Sequence, residues 1–252
     1  KEIIKHITSS SQPALSMQSI RKFNVVIPSI NEQLKIAHLL STVDQKINLL
    51  TKKKEALETY KKGLMQKIFS QELRFKREDG TDYPEWRLTK FVEVCLKENS
   101  GLSKGDLSDV GLNEVYGAAG NLEGFTNIPS PSSAYVSIIK DGAGVGRVKF
   151  LPPNTSTIGT LDMIVAYDEL VLPYLLYILL INIRWRKYTV GSTIPHIYFR
   201  DWKTEKVQIP SLEEQRKIVK VFSDLESKCS KILQKIERTE QLKKGLLQQM
   251  FV

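Results

Sequence analysis

Three glycine-containing loops carry the side chains best suited to recognise a ligand. Residues 116–121 (YGAAGN) place an aromatic ring and an amide around two glycines, and residues 191–197 (GSTIPHI) contribute two hydroxyls and an imidazole. Between these loops, residues 141–146 (DGAGVG) are flanked by Lys140 and Arg147. Amides, hydroxyls, imidazoles and basic groups are the groups that proteins direct at phosphates and base edges. The pattern therefore indicates contact with nucleic acid, with plain surface turns as the alternative.

The glycines of residues 141–146 do not form a nucleotide-binding loop. Their spacing is G-x-G-x-G rather than G-x-G-x-x-G, and no amphipathic helix follows them. Residues 145–150 have a strand-like pattern instead, which predicts a hairpin whose glycines supply positive φ angles. The same glycines would let backbone N–H groups approach a phosphate closely between Lys140 and Arg147.

Signatures of catalysis and metal binding are missing from the sequence. Three histidines and two distant cysteines, Cys95 and Cys229, give no His/Cys metal spacing, no disulfide framework and no nucleophile–base set. No Walker loop occurs either. We therefore predict a protein without catalytic residues, metal or cofactor of its own, although dispersed carboxylates could form an active site that one sequence does not reveal.

The basic balance of the chain favours an acidic partner. The 252 residues carry a net charge of +9 and a pI near 9.4, which favours nucleic acid, with a solvated lysine-rich surface as the alternative. The most apolar run, residues 170–183, is too short to span a membrane and contains Pro173. We expect a cytoplasmic protein with no membrane partner, because we find no signal peptide. The chain starts at Lys1 rather than Met, which we interpret as a truncation.

An internal repeat supplies the elements that must position these loops. Residues 27–36 (IPSINEQLKI) return as residues 209–218 (IPSLEEQRKI), and residues 61–69 (KKGLMQKIF) return as residues 243–251 (KKGLLQQMF). The same offset relates both pairs of segments, without a gap. Two copies are too few for a solenoid, so we interpret them as equivalent elements around an approximate two-fold axis.

Each repeat predicts a long helix that begins with a capping box. Ser29 and Glu32, and again Ser211 and Glu214, have the S-x-x-E spacing in which each side chain binds the other residue's backbone N–H. Apolar residues then follow at alternating steps of four and three, which is a heptad seam. In the first helix, residues 29–69, the seam is Ile36, Leu40, Val43, Ile47, Leu50, Leu57, Leu64 and Ile68, with Lys54 and Lys61 at the gaps. In the second helix it is Ile218, Phe222, Leu225, Cys229, Ile232, Ile236, Leu246 and Met250, interrupted by Thr239 and Lys243.

We expect the two helices, each about 60 Å long, to pair as an antiparallel coiled coil. The reason is that a compact block between them would return the chain to the same end. The predicted interface sets Val43, Ile47 and Leu50 of the first helix against Leu225, Cys229 and Ile232 of the second.

The block between the helices predicts an α/β or α+β domain. Strand-like segments cover residues 87–94, 135–140, 145–151 and 163–167, and a helix is predicted over residues 173–188. Residues 70–85 form a turn-rich link. Residues 1–28 align with residues 183–210, so we interpret them as the end of a preceding, equivalent block.

These motifs together resemble the specificity subunit of type I restriction–modification enzymes. The resemblance rests on G-S-T-x-P at residues 191–195, on I-P-S-L-E-E-Q-R-K-I at residues 209–218, and on the long heptad helix that follows. The loop at residues 116–120 and the hairpin at residues 139–150 are similar to that family's target recognition domain. The resemblance covers nearly the whole chain, and its most specific element is the duplicated helix start.

The resemblance implies a fold and a set of partners. Members contain two target recognition domains separated by two conserved helices that pair as an antiparallel spacer, and each domain reads half of a bipartite site in double-stranded DNA. The subunit has no catalytic activity. It recruits methyltransferase subunits, which bind S-adenosylmethionine and in turn support motor–nuclease subunits. Here we expect one full recognition domain at residues 71–210, spacer helices at residues 29–70 and 211–252, and a remnant of another domain at residues 1–28, with homodimerisation as one way to supply a second domain.

Loop positions give the predicted reading surface, because rigid scaffolds usually carry function on loops. The candidates are Lys104, Tyr116, Asn121, Lys140, Arg147, Ser192, Thr193, His196 and Arg200. Two other functions compete with DNA reading: a coiled-coil interaction scaffold whose basic charge is incidental, and an enzyme acting as a nuclease or methyltransferase by itself.

Overall fold

The computed structural model describes residues 17–21, 27–128 and 130–250 and places five α-helices and nine strands in them. The helices are α1 (Met17–Ile20), α2 (Ile30–Phe69), α3 (Pro173–Ile181), α4 (Phe199–Trp202) and α5 (Leu212–Met250). The strands are β1 (Arg87–Lys90), β2 (Cys95–Asn99), β3 (Asn113–Tyr116), β4 (Leu122–Thr126), β5 (Tyr135–Ile139), β6 (Val148–Leu151), β7 (Thr155–Thr157), β8 (Leu161–Ala166) and β9 (Lys206–Ile209).

The chain divides into two units. Residues 57–229 form what we call the sheet unit, and residues 1–56 with residues 230–252 form the helical unit. Much of the predicted domain remnant, residues 1–28, lies outside the described residues; in the rest of it, α1 is a helix of four residues.

Three small sheets build the sheet unit. The largest has the strand order β2-β8-β5-β6 with every neighbour antiparallel, so β8 and β5 are its central strands. In the sheet β4-β3-β7, β3 pairs antiparallel with β4 and parallel with β7. The third sheet joins β1 to β9, the strands at the two ends of the block. The prediction of a mixed α/β domain carried between long helices is confirmed.

One hydrophobic core joins the four-stranded sheet, α3 and the ends of both long helices. Helix α3 is apolar almost all round, with Leu175, Leu176 and Leu180 fully buried, as expected for a helix covered on several sides. Met65 and Ile68 of α2 lie in the same core as Ile218 and Phe222 of α5. The last turns of α2 and the first turns of α5 are therefore part of the domain core.

Two predicted strands are shorter than expected, for local reasons. Residues 87–94 are not one strand: β1 ends at Lys90, and residues 91–93 form a 3-10 turn that buries Phe91. Residues 145–147 belong to the hairpin turn, because Arg147 N–H bonds to the carbonyl of Gly144 before β6 begins. The helix predicted to reach Tyr188 ends at Ile181, since Asn182 Nδ2 donates to the carbonyl of Ile178 at 2.7 Å.

The long helices bury their residues with the predicted heptad spacing. Along α5, exposure is low at Ile218, Phe222, Leu225, Ile232, Ile236 and Thr239. These positions follow steps of four and three, except for one step of seven that contains the half-buried Cys229. Along α2, the buried and half-buried positions include Lys54 and Lys61, the two polar positions of the seam. The lysine at each gap in the apolar pattern is thus a seam residue rather than a break in the pairing.

Two ion pairs fix the antiparallel register of α2 and α5. Lys61 pairs with Glu226 in the sheet unit, and Lys243 Nζ lies 2.6 Å from Asp44 Oδ1 in the helical unit. Asp44 precedes Lys61 by the same interval at which Lys243 follows Glu226. The helices therefore keep one register between these two contacts.

This register corrects the predicted pairing of interface residues. Val43, Ile47 and Leu50 are level with Lys243, Thr239 and Ile236, and the prediction that they meet Leu225, Cys229 and Ile232 is wrong. The physical reason is length. In an antiparallel pair of near-equal helices the start of one lies beside the end of the other, whereas the predicted pairing set the middle of α2 beside the first half of α5.

A glutamine fixes the start of each long helix. Gln33 Nε2 donates to the carbonyl of Pro28, and Gln215 Nε2 donates to the carbonyl of Pro210, each at 2.9 Å. Gln215 also donates to the carbonyl of Leu170 and accepts from Leu172 N–H at 2.8 Å. The duplicated sequence therefore folds in the same way twice, and the second copy makes additional contacts inside the sheet unit.

The predicted capping box is half wrong at the second helix. Ser211 Oγ accepts from Glu214 N–H at 3.4 Å, as expected. The Glu214 carboxylate does not return to Ser211: it accepts from Trp86 Nε1 and Arg74 Nη2, each at 3.0 Å. Glu214 is fully buried. A buried carboxylate requires charged or hydrogen-bonding partners, and here Trp86 and Arg74 supply them in place of the Ser211 backbone N–H.

Candidate nucleic-acid interface

The hairpin between β5 and β6 is the centre of the candidate site. We call residues 141–146 the hairpin loop. Its turn is closed by Gly146 N–H, which donates to the carbonyl of Ile139 at 2.9 Å. Gly146 has a φ of 82°, and a Cβ there would lie 2.6 Å from the Cβ of Trp185. Only glycine combines that backbone conformation with that close contact, so the hairpin predicted from the glycine spacing is confirmed.

The loop of residues 191–197, the proline loop, lies directly beside the hairpin loop. Gly142 N–H donates to the carbonyl of Pro195, and Ile197 N–H donates to the carbonyl of Lys140, both at 2.9 Å. His196 Nδ1 lies 2.7 Å from Asp141 Oδ1. Two loops that are distant in the sequence therefore present one continuous surface.

The loop of residues 116–121, the tyrosine loop, approaches the hairpin from β6. Lys149 of β6 donates to the carbonyl of Gly120 at 2.6 Å, and its Nζ lies 4.7 Å from the centroid of the Tyr116 ring. The Tyr116 hydroxyl donates to Glu114 Oε2 at 2.7 Å. That hydrogen bond, with partial burial, raises the pKa of Tyr116 above its usual value, so the phenol stays a neutral donor.

Two cavities open on either side of the hairpin loop. The smaller, about 200 Å³, lies between the tyrosine loop and the residues Ser137, Ile139 and Arg147. The larger, about 420 Å³, has a strongly basic lining. That lining consists of Lys97, Lys140, Asp141, Asp162, Ile197, Tyr198, Phe199, Arg200 and Lys203.

Aromatic side chains contact each other and a basic residue at the edge of the larger cavity. Tyr198 stacks on His196 with an interplanar angle of 14°, and the guanidinium carbon of Arg200 lies 4.8 Å from the centroid of the Tyr198 ring. Contact with an aromatic face restrains the Arg200 cation, and Asp201 Oδ1 lies 3.5 Å from Arg200 Nε, with the arginine side chain still exposed. The arrangement can present a positive charge to a phosphate at a defined position.

The fold brings most of the predicted reading residues together. Tyr116, Lys140, Arg147, His196 and Arg200 belong to the three loops or the cavities between them. Asn121, Ser192 and Thr193 are exposed in the tyrosine and proline loops. Their individual contacts with DNA remain predictions.

Lys104 is placed differently from the other candidates. It begins a short 3-10 helix, and its Nζ lies 2.9 Å from Glu123 Oε2. The Glu123 side chain lies against Gly117 of the tyrosine loop. Lys104 is therefore near the candidate surface, but a carboxylate already balances its charge.

Several residues of the site were not predicted from the sequence. Lys97 lies on β2, a short strand with no clear alternation, and Asp162 precedes the residues that suggested β8. Lys149 occupies an exposed position of β6, where a lysine gives no signal by itself. Among these residues, Tyr198 could have been predicted from the sequence, because it lies two residues after His196, which was already a candidate.

The described residues offer no sign of metal or thiol chemistry. Among them, no group of three or more His, Cys, Asp or Glu side chains is arranged to hold a metal ion. Burial raises the pKa of the Cys95 thiol to about 12, so it is protonated at neutral pH and a poor nucleophile. No helix in the described part of the chain is long and apolar enough to cross a membrane.

Comparison with known proteins identifies the family. The model of the type I restriction modification DNA specificity domain matches residues 1–59 and 82–244, which is most of the chain. The chain belongs to this family. The resemblance noted from the duplicated helix start is thereby confirmed.

Similarity to an individual member of the family supports the same assignment. A Methanocaldococcus jannaschii protein, provisionally named the specificity subunit of type I restriction enzyme MjaX, is 25% identical over 272 aligned residues. That alignment covers 98% of this chain and 63% of the relative, so the chain spans less than two thirds of that relative's length.

Solved structures of the family show the shared fold. The S subunit of a type I restriction–modification system from M. genitalium matches with a TM-score of 0.68 at 17% identity, covering 98% of this chain and 68% of that one. The HsdS subunit from Thermoanaerobacter tengcongensis matches with a TM-score of 0.54 at 17% identity, covering 99% and 66%. At this identity the two matches establish the fold alone.

Proposed function

We propose that the chain is a non-catalytic DNA-specificity subunit of a type I restriction–modification complex, and that its sheet unit reads one half of a bipartite DNA site. The observation that carries the proposal is the meeting of three polar, glycine-containing loops around two cavities, in a member of the DNA specificity domain family. Loops of this kind can follow a groove, while the sheets behind them hold their spacing.

The charges on this surface suit duplex DNA. Lys140, Arg147 and Arg200 would attract phosphates in a salt-dependent manner, while the amides, hydroxyls and imidazole of the loops would contact base edges. A division between backbone positioning and base reading is general in DNA-binding proteins. The sequence preference therefore belongs to the loop tips and the affinity to the basic residues around them.

The long helices suit a spacer and docking role. An antiparallel helix pair is a form suited to spacing two binding partners, as dimer spacing does in other DNA readers. We propose that methyltransferase subunits, with S-adenosylmethionine bound to them rather than to this chain, dock on these helices and that a motor–nuclease subunit joins through them, in the cytoplasm.

The equivalent helix starts support the proposed domain division. In that division residues 71–210 are the recognition domain, residues 29–70 and 211–252 are spacer helices, and residues 1–28 are the end of another domain. Gln33 and Gln215 make the same hydrogen bond in the two copies, as expected if each helix start follows a recognition domain. A second copy of the chain is one source of the second half-site reader.

Paired neutralisation tests the proposed DNA surface against the scaffold alternative. We predict that K140Q/R147Q lowers affinity for a duplex by at least about tenfold, because two phosphate-attracting cations are lost. The matched control is K52Q/K53Q, which removes the same charge from exposed positions of α2 and should change affinity by less than about twofold. Fluorescence anisotropy measures both.

Equal effects of the two double substitutions would favour the scaffold, in which the basic charge is incidental. An enzyme acting alone is tested with the same preparation: we expect the purified chain neither to consume S-adenosylmethionine nor to cut DNA.

A further inference from the structure

Three charged residues lie side by side on neighbouring strands of the four-stranded sheet. Asp162 is on the central strand β8, directly opposite Asn99 of β2 and Ile138 of β5. Side chains alternate between faces along a strand, and directly opposed residues share a face. Lys97, two residues before Asn99, and Lys140, two residues after Ile138, therefore lie on the same face as Asp162.

Asp162 is bound to both lysines through one oxygen. Its Oδ1 lies 3.5 Å from Lys97 Nζ and 3.5 Å from Lys140 Nζ. The residue is 3% exposed, and within the described residues Oδ1 accepts no hydrogen bond with good geometry. A buried carboxylate persists only with compensating charge, which the two ammonium groups supply.

The three residues do not balance one another. Two lysines and one aspartate leave a formal excess of one positive charge, and the cavity of about 420 Å³ beside the hairpin loop opens onto all three. Arg200 and Lys203 line the same cavity. Asp141 in that lining lies against His196, and Asp201 pairs with Arg200. An anion with a single charge would balance the excess on Lys97, Asp162 and Lys140.

We propose that Lys97, Asp162 and Lys140 form a clamp for one backbone phosphate of DNA. Asp162 is a positioning residue: it draws the two ammonium groups to a common point beside the cavity. The ligand is a phosphodiester because it carries one negative charge and because the clamp adjoins the hairpin and proline loops. This inference rests on the proposed DNA-reading function and assigns to Lys97 and Asp162 roles that no motif indicated.

The clamp makes an unusual prediction about charge balance. If either lysine is removed, Asp162 neutralises the one that remains, so the phosphate contact is lost already with the first substitution. Removing Asp162 together with one lysine returns the site to a single positive charge. Independent lysines would behave otherwise, because each would then contribute separately.

The test measures the salt dependence of binding, which needs no knowledge of the target sequence. The full chain is titrated onto a fluorescent duplex of mixed sequence in KCl from about 50 to about 200 mM, and the slope of log affinity against log salt is compared between variants. K97Q and K140Q should each reduce the magnitude of the slope by about 0.9, which corresponds to one phosphate, and K97Q/K140Q/D162N, in which the site is also neutral, should reduce it by the same amount. K97Q/D162N should restore the wild-type slope.

A matched control comes from another sheet. Lys90 and Lys206 are directly opposed on β1 and β9 and are both exposed, so K90Q/K206Q removes two lysines outside the clamp and should leave the slope unchanged. Circular dichroism of every variant checks folding. K140Q tests the same contact as K97Q, so it reports on the clamp even if K97Q unfolds.

Three results would overturn the clamp. A loss in K97Q/K140Q/D162N about twice that of either single variant would mean two separate phosphate contacts. Unchanged slopes in K97Q and K140Q would mean no contact at all, and a K97Q/D162N slope as low as that of K97Q would remove the role of Asp162. If the wild-type chain binds no duplex at any salt concentration, the proposed function fails together with the clamp.

Discussion

Glu214 shows how much one residue of the repeat depends on its surroundings. Its carboxylate is fully buried and accepts from Trp86 and Arg74, and the hydrogen bond with Arg74 raises the pKa of that guanidinium above its usual value. Glu32, the same residue of the first repeat, is exposed. The two glutamates occupy equivalent positions in the repeat and differ in what packs over them.

This difference predicts unequal effects of the same substitution. E214Q should lower the free energy of unfolding by about 3 kcal/mol, because it removes the buried charge that pairs with Arg74 and leaves this cation only the exposed Glu85 as a charged partner. E32Q, the matched control, should change it by less than about 0.5 kcal/mol. Urea unfolding followed by tryptophan fluorescence measures both, and similar values for the two variants would contradict the assigned role of Glu214.

The residues of the reading surface were partly predictable from their types. Glycine spacing located the hairpin loop and the basic residues beside it, because few structures other than a hairpin are compatible with G-x-G-x-G followed by a strand-like run. Lys97 and Asp162 could not be located in the same way. Their significance comes from the alignment of β2, β8 and β5, and strand order is not contained in local spacing.

Periodic elements were the most predictable part of the fold. The heptad seam extends over about ten turns of helix, so each position supports the others, and even Lys54 and Lys61 follow it. Strands β3, β7 and β9 have three or four residues each, which is too short for an alternating pattern to emerge. The pairing of Val43, Ile47 and Leu50 was wrong because periodicity fixes a face and leaves the register open.

A disulfide trap tests the register of α2 and α5 directly. Leu50 and Ile236 are level on the register set by the Lys61–Glu226 and Asp44–Lys243 pairs, so L50C/I236C should cross-link under mild oxidation. In L50C alone, the remaining seam thiol is the native Cys229, which is about two helical turns, or about 10 Å, away from position 236 along α5. Non-reducing electrophoresis and mass measurement should find a cross-link only in L50C/I236C; a cross-link to Cys229 would contradict the register.

The proposed organisation combines one DNA-reading unit with two spacer helices. The alignment with the M. jannaschii relative covers 98% of this chain but only 63% of the relative, and the net charge of +9 would provide long-range attraction to DNA. One recognition unit is expected to specify one half-site. A complex that reads both halves would need a second unit of this kind.

Binding-site selection tests the central claim most directly. The purified chain, alone and with the methyltransferase subunit proposed to dock on it, would be offered duplexes with a randomised central segment, and bound sequences would be recovered over several rounds. We predict enrichment of one short half-site by wild-type protein, lost in K140Q/R147Q and kept in K52Q/K53Q. Recovery of bound duplexes with no sequence enriched over the starting pool would contradict a role in DNA specificity.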